Sequence, residues 1–137
     1  AGSRCIGLVL LLAGCSSAPR TTGDIEELPS CGALPNCVNT QYEQRIHAGE
    51  PIQANAAQWQ QLKNWIGLQD DWQIFSESPD FIHAVVTTPV MKFQDDVHLL
   101  YVPEDRLIQV RSSSRVGISD LGANARRLGV LRDQVRP

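Results

Sequence analysis

The densest group of polar side chains that could do chemistry lies between Arg111 and Arg127, in the run RSSSRVGISDLGANARR. Guanidinium groups bind carboxylate and phosphate through paired, charge-assisted hydrogen bonds. The serine hydroxyls and the carboxylate of Asp120 add donors and acceptors at close spacing. The run can therefore hold an anion, or it can tie a strand to the helix that follows it. Both interpretations stay open at this point.

A second group, Asp95, Asp96 and His98, lies in the segment before this run. Two carboxylates, an imidazole and the hydroxyls of Ser112 to Ser114 are the parts of a hydrolase or of a site for a hard metal ion. Two ligands on one strand do not make a metal site, and no G-x-S-x-G, H-E-x-x-H or glycine-rich phosphate loop is present. The sequence therefore predicts no metal and no cofactor.

Two predicted hairpins must position these groups. Four runs rich in β-branched and aromatic residues read as strands: Trp72 to Glu77, Phe81 to Thr88, Val90 to Val102 and Leu107 to Val116. The first two flank a turn at Ser78 to Asp80, and the last two flank a turn at Pro103 to Arg106. His83 alternates with apolar neighbours in the second run, so we interpret it as a structural side chain.

The second hairpin closes with Val102 opposite Leu107, and this turn fixes the register of its strands. The predicted core face carries the pairs Tyr101 with Ile108, Leu99 with Val110, Val97 with Ser112, Asp95 with Ser114 and Phe93 with Val116. Because an unpaired buried carboxylate is costly, we expect Asp95 to accept hydrogen bonds from backbone or hydroxyl donors.

The opposite face of this hairpin carries the predicted polar cluster. It pairs His98 with Arg111, Asp96 with Ser113 and Gln94 with Arg115. Asp96 is diagonal to both arginines, within reach of long side chains. The register therefore predicts one carboxylate between two guanidinium groups.

Helices are predicted before and after the sheet. Asn55 is a good N-cap, Gln58 completes a capping box, and Gly67 supplies a stop. The apolar stripe between them is Trp59, Leu62, Trp65 and Ile66. In the last helix, capped by Ser119 or Asp120, the predicted stripe is Leu121, Ala125, Leu128, either Leu131 or Arg132, and Val135.

The predicted fold class is α+β, a four-stranded antiparallel sheet of two hairpins with helices packed on one face, in the order α-β-β-β-β-α. Residues 38–54 are assigned to a loop. The 137 residues, 42% of them hydrophobic and 20% charged, suit a single globular domain. The formal charge of -3 argues against a nucleic-acid partner.

The N-terminal residues are typical of a secretory signal. Arg4 precedes the apolar run Ile6 to Leu12, which is too short to span a bilayer. The tetrapeptide ending in Cys15, LAGC, resembles the lipobox of bacterial lipoproteins; a buried apolar helix that ends in a cysteine is the alternative. The resemblance implies cleavage before Cys15 and acylation of its thiol, with palmitate as an expected chain. The same resemblance implies that Ser16, directly after the cysteine, favours the outer membrane over the inner one.

We therefore expect a signal peptide at residues 1–14, a lipidated tether at 15–30 and one globular domain at 31–137, facing the periplasm. Cys31 and Cys37 are then the thiols left in the domain, and an oxidising compartment predicts a disulfide between them. Zinc is the alternative use of two thiols, but the chain has no C-x-x-C motif.

Three runs, PNCV (Pro35 to Val38), FQDDV (Phe93 to Val97) and RSSSRVGISDLGANARR, resemble the bacterial and plastid family called domain of unknown function 1499. The resemblance extends from about Cys31 to Arg132. It implies a compact envelope or organelle domain and brings no established activity or cofactor.

Three classes of function fit these residues. The leading hypothesis is a non-catalytic binding module, joined to the membrane by its lipid anchor, that takes an anionic small molecule or an envelope protein. Its candidate ligand-binding residues are Asp96, His98, Arg111, Ser113, Arg115 and Asp120. The second hypothesis is a structural envelope component in which the motif only stabilises the fold. The third is a hydrolase or metal-dependent enzyme that uses Asp95, Asp96 and His98.

Overall fold

The computed structural model describes residues 27–41 and 45–136, so the predicted signal peptide, Cys15 and most of the tether lie outside the described residues. The elements in chain order are β1 (Cys37–Asn39), β2 (Ile52–Gln53), α1 (Ala56–Leu68), β3 (Trp72–Ser78), β4 (Phe81–Thr87), β5 (Gln94–Val102), β6 (Leu107–Ser114) and α2 (Ala123–Asp133). The predicted α+β class is confirmed, with β3 to β6 as an antiparallel meander.

The segment 38–54, which we assigned to a loop, contains β2 and most of β1, and these two short strands extend the predicted sheet. β1 pairs with Arg111–Ser113 and β2 with Leu107 and Ile108, so both lie along the free edge of β6. Strands of two and three residues are too short to show alternation, and for this reason the sequence did not predict them. They form hydrogen bonds with backbone groups of β6 that would otherwise be unpaired at an exposed sheet edge.

Both helices pack on one face of the sheet, here called the core face. Trp59 of α1 stacks on Tyr101 at 5.6 Å between ring centroids, and Leu62 and Ile66 are fully buried in the same apolar cluster. The capping box of Asn55 and Gln58 forms as predicted. The helix continues through Gly67 and ends at Leu68, one residue beyond the predicted stop.

The predicted register of the second hairpin is confirmed from Val102 opposite Leu107 to Asp95 opposite Ser114. The exception is Phe93 with Val116, which we predicted on the core face and which are 43% and 53% exposed. Phe93 belongs to the β4–β5 turn, where its amide donates to Thr88 Oγ1 and its carbonyl accepts from the Thr88 amide. Pairing therefore stops before this position.

The predicted apolar stripe of α2 is wrong in its first turn. Leu121 has a left-handed backbone with φ of 52° and precedes the helix, and Ala125 is exposed. The buried residues are instead Asn124, Leu128 and Leu131, followed by Val135. The polar residue Asn124 can occupy the buried stripe because Ser112 lies beside it on the core face of β6. The Ser112 hydroxyl donates to Asn124 Oδ1 at 2.7 Å.

Candidate functional site

The sheet face turned away from the helices, here called the outer face, carries most of the predicted cluster. Its central rows place His98 opposite Arg111 and Asp96 opposite Ser113, as predicted. Arg115 follows β6 directly, and its amide donates to the Gln94 carbonyl. β5 and β6 therefore bring five of the six candidate residues onto one surface: Asp96, His98, Arg111, Ser113 and Arg115.

Asp96 and Arg115 form a bidentate ion pair on the outer face. Arg115 Nε donates to Asp96 Oδ2 and Nη2 donates to Oδ1, both at 2.9 Å. The hydrogen bonds from Arg115 lower the pKa of Asp96 from 3.8 to about 2, against the opposing effect of burial and with further help from His83. The same hydrogen bonds raise the pKa of Arg115. The charges of this pair therefore compensate each other.

His83 also belongs to this cluster, although the sequence analysis interpreted it as a structural side chain only. Its Nε2 lies 2.8 Å from Asp96 Oδ1, and its ring stacks on His98 with 4.2 Å between centroids. β4 pairs with β5 so that His83 is directly opposite His98. The missed signal was the register between the two hairpins, which the turn between β4 and β5 sets. Phe75, beside a β-bulge in β3, contacts His83 edge-on at 5.1 Å.

His98 is a neutral imidazole at the centre of the outer face. Burial, followed by electrostatic interactions with His83 and Arg111, lowers its pKa from 6.5 to about 3, while Asp96 opposes the shift. Its Nδ1 is buried and has no hydrogen-bond partner among the described residues. The imidazole is thus a polar but uncharged neighbour of the arginine beside it.

Arg111 does not form the ion pair with Asp96 that the sequence analysis predicted. The carboxylate oxygens of Asp96 bind Arg115 and His83. The predicted cluster of one acid between two arginines therefore includes Arg115 but not Arg111. Arg111 is half-buried, its Nη2 donates to the Ser30 carbonyl at 3.3 Å, and its buried Nε has no partner among the described residues. Burial lowers its pKa, and Asp96 opposes the shift from a distance.

The residues before β1 close one side of this site. Leu28, which we predicted to lie in the tether, is buried against Phe81 and Leu100. Asn39 Nδ2 donates to the Pro29 carbonyl at 2.9 Å. The predicted disulfide between Cys31 and Cys37 is present and joins this segment to β1. The chain therefore crosses the outer face beside Arg111 before it enters the sheet.

Asp95 lies on the core face, as predicted, but its partner is different. It is 2% exposed, and its Oδ2 accepts from Arg127 Nη2 at 2.9 Å, where we expected backbone or hydroxyl donors. Arg127 Nη1 also donates to Ser112 Oγ at 3.0 Å and to Asn124 Oδ1 at 2.9 Å. One turn of α2 separates Arg127 from Asn124, so both side chains reach the sheet together.

Asp120, the sixth candidate residue, lies apart from the outer face. Its Oδ1 accepts from the Gly122 amide at 2.8 Å and its Oδ2 from Asn124 Nδ2 at 2.6 Å. Burial raises its pKa, but these hydrogen bonds outweigh burial and lower it. The N-cap of α2 is Gly122, which makes no side-chain cap hydrogen bond, so the predicted cap at Ser119 or Asp120 is wrong. Asp120 instead holds the residues at the start of the helix through these bonds. We call the set Asp95, Ser112, Ser114, Asp120, Asn124 and Arg127 the buried polar network.

The residues of the motif RSSSRVGISDLGANARR thus contribute to two different sets of contacts. Arg111 and Ser113 of β6, and Arg115 directly after it, face outward, while Ser112, Ser114, Asp120, Asn124 and Arg127 belong to the buried polar network. Asp95 is on the opposite face of the sheet from Asp96 and His98, so these three do not form one catalytic site. Among residues 27–41 and 45–136, no group of three His, Cys, Asp or Glu side chains could hold a metal ion. Within the same residues, no helix has the length and apolar character needed to cross a membrane.

Comparison with known proteins gives one result. A family model described as Protein of unknown function (DUF1499) matches residues 27–135, which is most of the chain and nearly all of its described part. The comparisons with curated proteins and with solved structures found no match.

Proposed function

The chain belongs to the DUF1499 family, and on that premise we propose that it is a lipid-anchored envelope protein whose domain is a non-catalytic module for binding an anionic group. The anchor is Cys15, in the lipobox-like LAGC, and Ser16 directs the protein to the outer membrane with its domain in the periplasm. The principal contact for the anion is Arg111.

A single observation carries the binding proposal: Arg111 is a half-buried guanidinium with no carboxylate partner among the described residues. Arg127 provides the contrast, because it is also largely buried against the sheet and has Asp95 as its counterion. Burying a cation without a partner costs free energy that a bound anion would offset. The site is therefore complementary to a group that carries negative charge.

The chemistry of Arg111 favours a carboxylate or a phosphate. Its Nη1 makes no hydrogen bond with a described residue, and Nη2 makes only the long bond to Ser30. Ser113 lies two residues along the same strand and on the same face, where its hydroxyl can donate to the same ligand. Arg115 supplies no free charge, since Asp96 neutralises it.

Titration of the whole chain with inorganic phosphate and with acetate tests this proposal. At low ionic strength, wild-type protein should bind one of the two probes, and Arg111→Gln should weaken that binding at least tenfold. Arg111→Lys keeps the charge and should retain part of it. The control is Arg136→Gln, because Arg136 is exposed and pairs with Asp133. Equal affinity in wild type and in a folded Arg111→Gln protein would refute the proposal.

The buried polar network favours a second candidate, a structural envelope component in which the motif serves only folding. Asp95, Asp120 and Arg127 all use their charges inside the protein. The two candidates differ at Arg111. A purely structural role predicts that Arg111→Gln lowers the midpoint of thermal unfolding and leaves the response to both anions unchanged.

A further inference from the structure

We propose that one end of the domain is a membrane-contacting surface, which places apolar loop tips in the interface of an anionic phospholipid bilayer. Seven large apolar side chains, here called the apolar end, are exposed on three loops at one end of the sheet. They are Leu34, Val90, Met91, Phe93, Val116, Ile118 and Leu121. The proposal rests on the lipid anchor proposed above and adds a second contact with the same membrane.

Backbone and side-chain hydrogen bonds hold these three loops next to one another. The β4–β5 turn and the loop after β6 meet where the Arg115 amide donates to the Gln94 carbonyl at 3.1 Å. The disulfide loop joins them where Asn36 Nδ2 donates to the Gly117 carbonyl at 2.9 Å and where the Asp120 amide donates to the Pro35 carbonyl at 3.3 Å. The apolar end is therefore a fixed feature of the fold.

The exposure of these side chains is high. Val90 and Leu121 are each 85% exposed, and Ile118 is 72% exposed. Single exposed apolar residues are ordinary, whereas a group at one end of a domain marks a site of contact with another apolar phase. Turns of this kind normally carry small and polar residues. Valine, methionine and phenylalanine in the β4–β5 turn contribute nothing to the core, so their role lies outside it.

The charges around the apolar end are complementary to anionic headgroups. Lys92 lies between Met91 and Phe93 in the same turn, and Arg126 is exposed beside the Leu121 carbonyl that accepts from its Nη1. The stretches 31–36 and 88–93 contain no Asp or Glu. Asp120 is the acid in the third loop, and its carboxylate accepts hydrogen bonds within the protein. Basic residues around exposed apolar ones are the pattern of interfacial membrane binding.

The tether favours a bilayer over a protein partner. Leu28 packs against Phe81 and Leu100, at the end of the sheet opposite the apolar end. Cys15 precedes Leu28 by thirteen residues, which reach roughly 45 Å when extended at ~3.6 Å each. β5 has nine residues and is about 30 Å long. An anchor at Cys15 therefore has enough chain to let the domain lie along the membrane and turn its apolar end into the interface.

Fluorescent labelling of the anchored protein tests this surface. The lipidated protein, cleaved before Cys15, is reconstituted into vesicles of phosphatidylglycerol and phosphatidylethanolamine. An environment-sensitive dye is attached at Met91→Cys or, as a control, at Glu104→Cys in the exposed β5–β6 turn at the opposite end. Dye at position 91 should shift to shorter emission wavelength, and brominated lipids should quench it several-fold more strongly than dye at position 104.

Two further variants separate the sources of contact. Ile118→Asp should reduce quenching at position 91 by removing apolar contact, and Lys92→Glu should reduce it more in anionic than in zwitterionic vesicles. Equal, weak quenching at positions 91 and 104 overturns the proposal, including the case in which an envelope protein covers the apolar end instead. Mass spectrometry of Cys15 reports the anchor separately, and anion binding at Arg111 is measured independently of both.

Discussion

Asp95 and Asp96 are adjacent in sequence, yet their carboxylates bind different arginines on opposite faces of the sheet. Asp95 meets Arg127 of α2 on the core face, and Asp96 meets Arg115 on the outer face. Because side chains alternate along a strand, one dipeptide both fastens a helix and organises an exposed cluster. Arg111 shares the outer face with the second pair and has no counterion among the described residues.

Replacing Arg127 tests the inner pair. Arg127→Met should lower the free energy of unfolding by about 3–5 kcal/mol, because it leaves the charge of Asp95 buried without a partner. Urea unfolding followed by tryptophan fluorescence measures this, with the exposed Arg136→Met as control at about 0–1 kcal/mol. The double variant Asp95→Asn with Arg127→Met should recover part of the loss. No recovery would mean that packing of the arginine, and not its charge, is what matters.

Asp96 should make stability depend on acid pH. Its pKa is about 2 in the folded protein against 3.8 ordinarily, so its contribution is fully present above pH 4 and is lost as pH falls toward 2. Because the carboxylate is partly exposed, solvent screening reduces that contribution to about 1 kcal/mol. Urea midpoints of wild type and Asp96→Asn should differ at pH 7 and converge by pH 2. Parallel curves across this range would show that Arg115 does not hold the carboxylate in its charged form.

His98 should destabilise the folded protein at a higher pH than Asp96. Its pKa of about 3 lies below the ordinary 6.5, so only the unfolded chain takes up a proton between these values. Its contribution to stability is present above pH 6.5 and falls by about 1.4 kcal/mol for each pH unit below it. His98→Gln should therefore be less sensitive to pH between 6 and 4. In NMR titrations the His98 ring should stay neutral at pH 5, and protonation near pH 6 would contradict the prediction.

The sequence predicted those parts of the fold that local chemistry decides. The turn between Val102 and Leu107 fixed the register of β5 and β6, and the capping box of Asn55 fixed the start of α1. It failed where a distant element decides the outcome. The burial of Asn124 depends on polar partners such as Ser112, and the inward position of Arg127 depends on its ion pair with Asp95.

The candidate site shows the same division. Asp96 and Arg115 could be paired from one hairpin, because their positions follow from a single turn. His83 could not, since its contact with Asp96 depends on how the two hairpins align across the β4–β5 turn. The Ser30 carbonyl beside Arg111 depends on a segment with no periodicity, held in place by a disulfide and by the burial of Leu28.

Removal of the disulfide should loosen that segment. A bond that closes so short a loop stabilises a fold by about 2 kcal/mol in the chain-entropy view, so Cys31→Ala with Cys37→Ala should lower the free energy of unfolding by that amount. It should also release the Ser30 carbonyl from Arg111, because the disulfide joins residues 28–31 to β1. Hydrogen exchange should then rise at residues 28–34 and stay unchanged in β4 and β5. If exchange rises equally in all strands, the disulfide supports the whole sheet and not the wall of the Arg111 site alone.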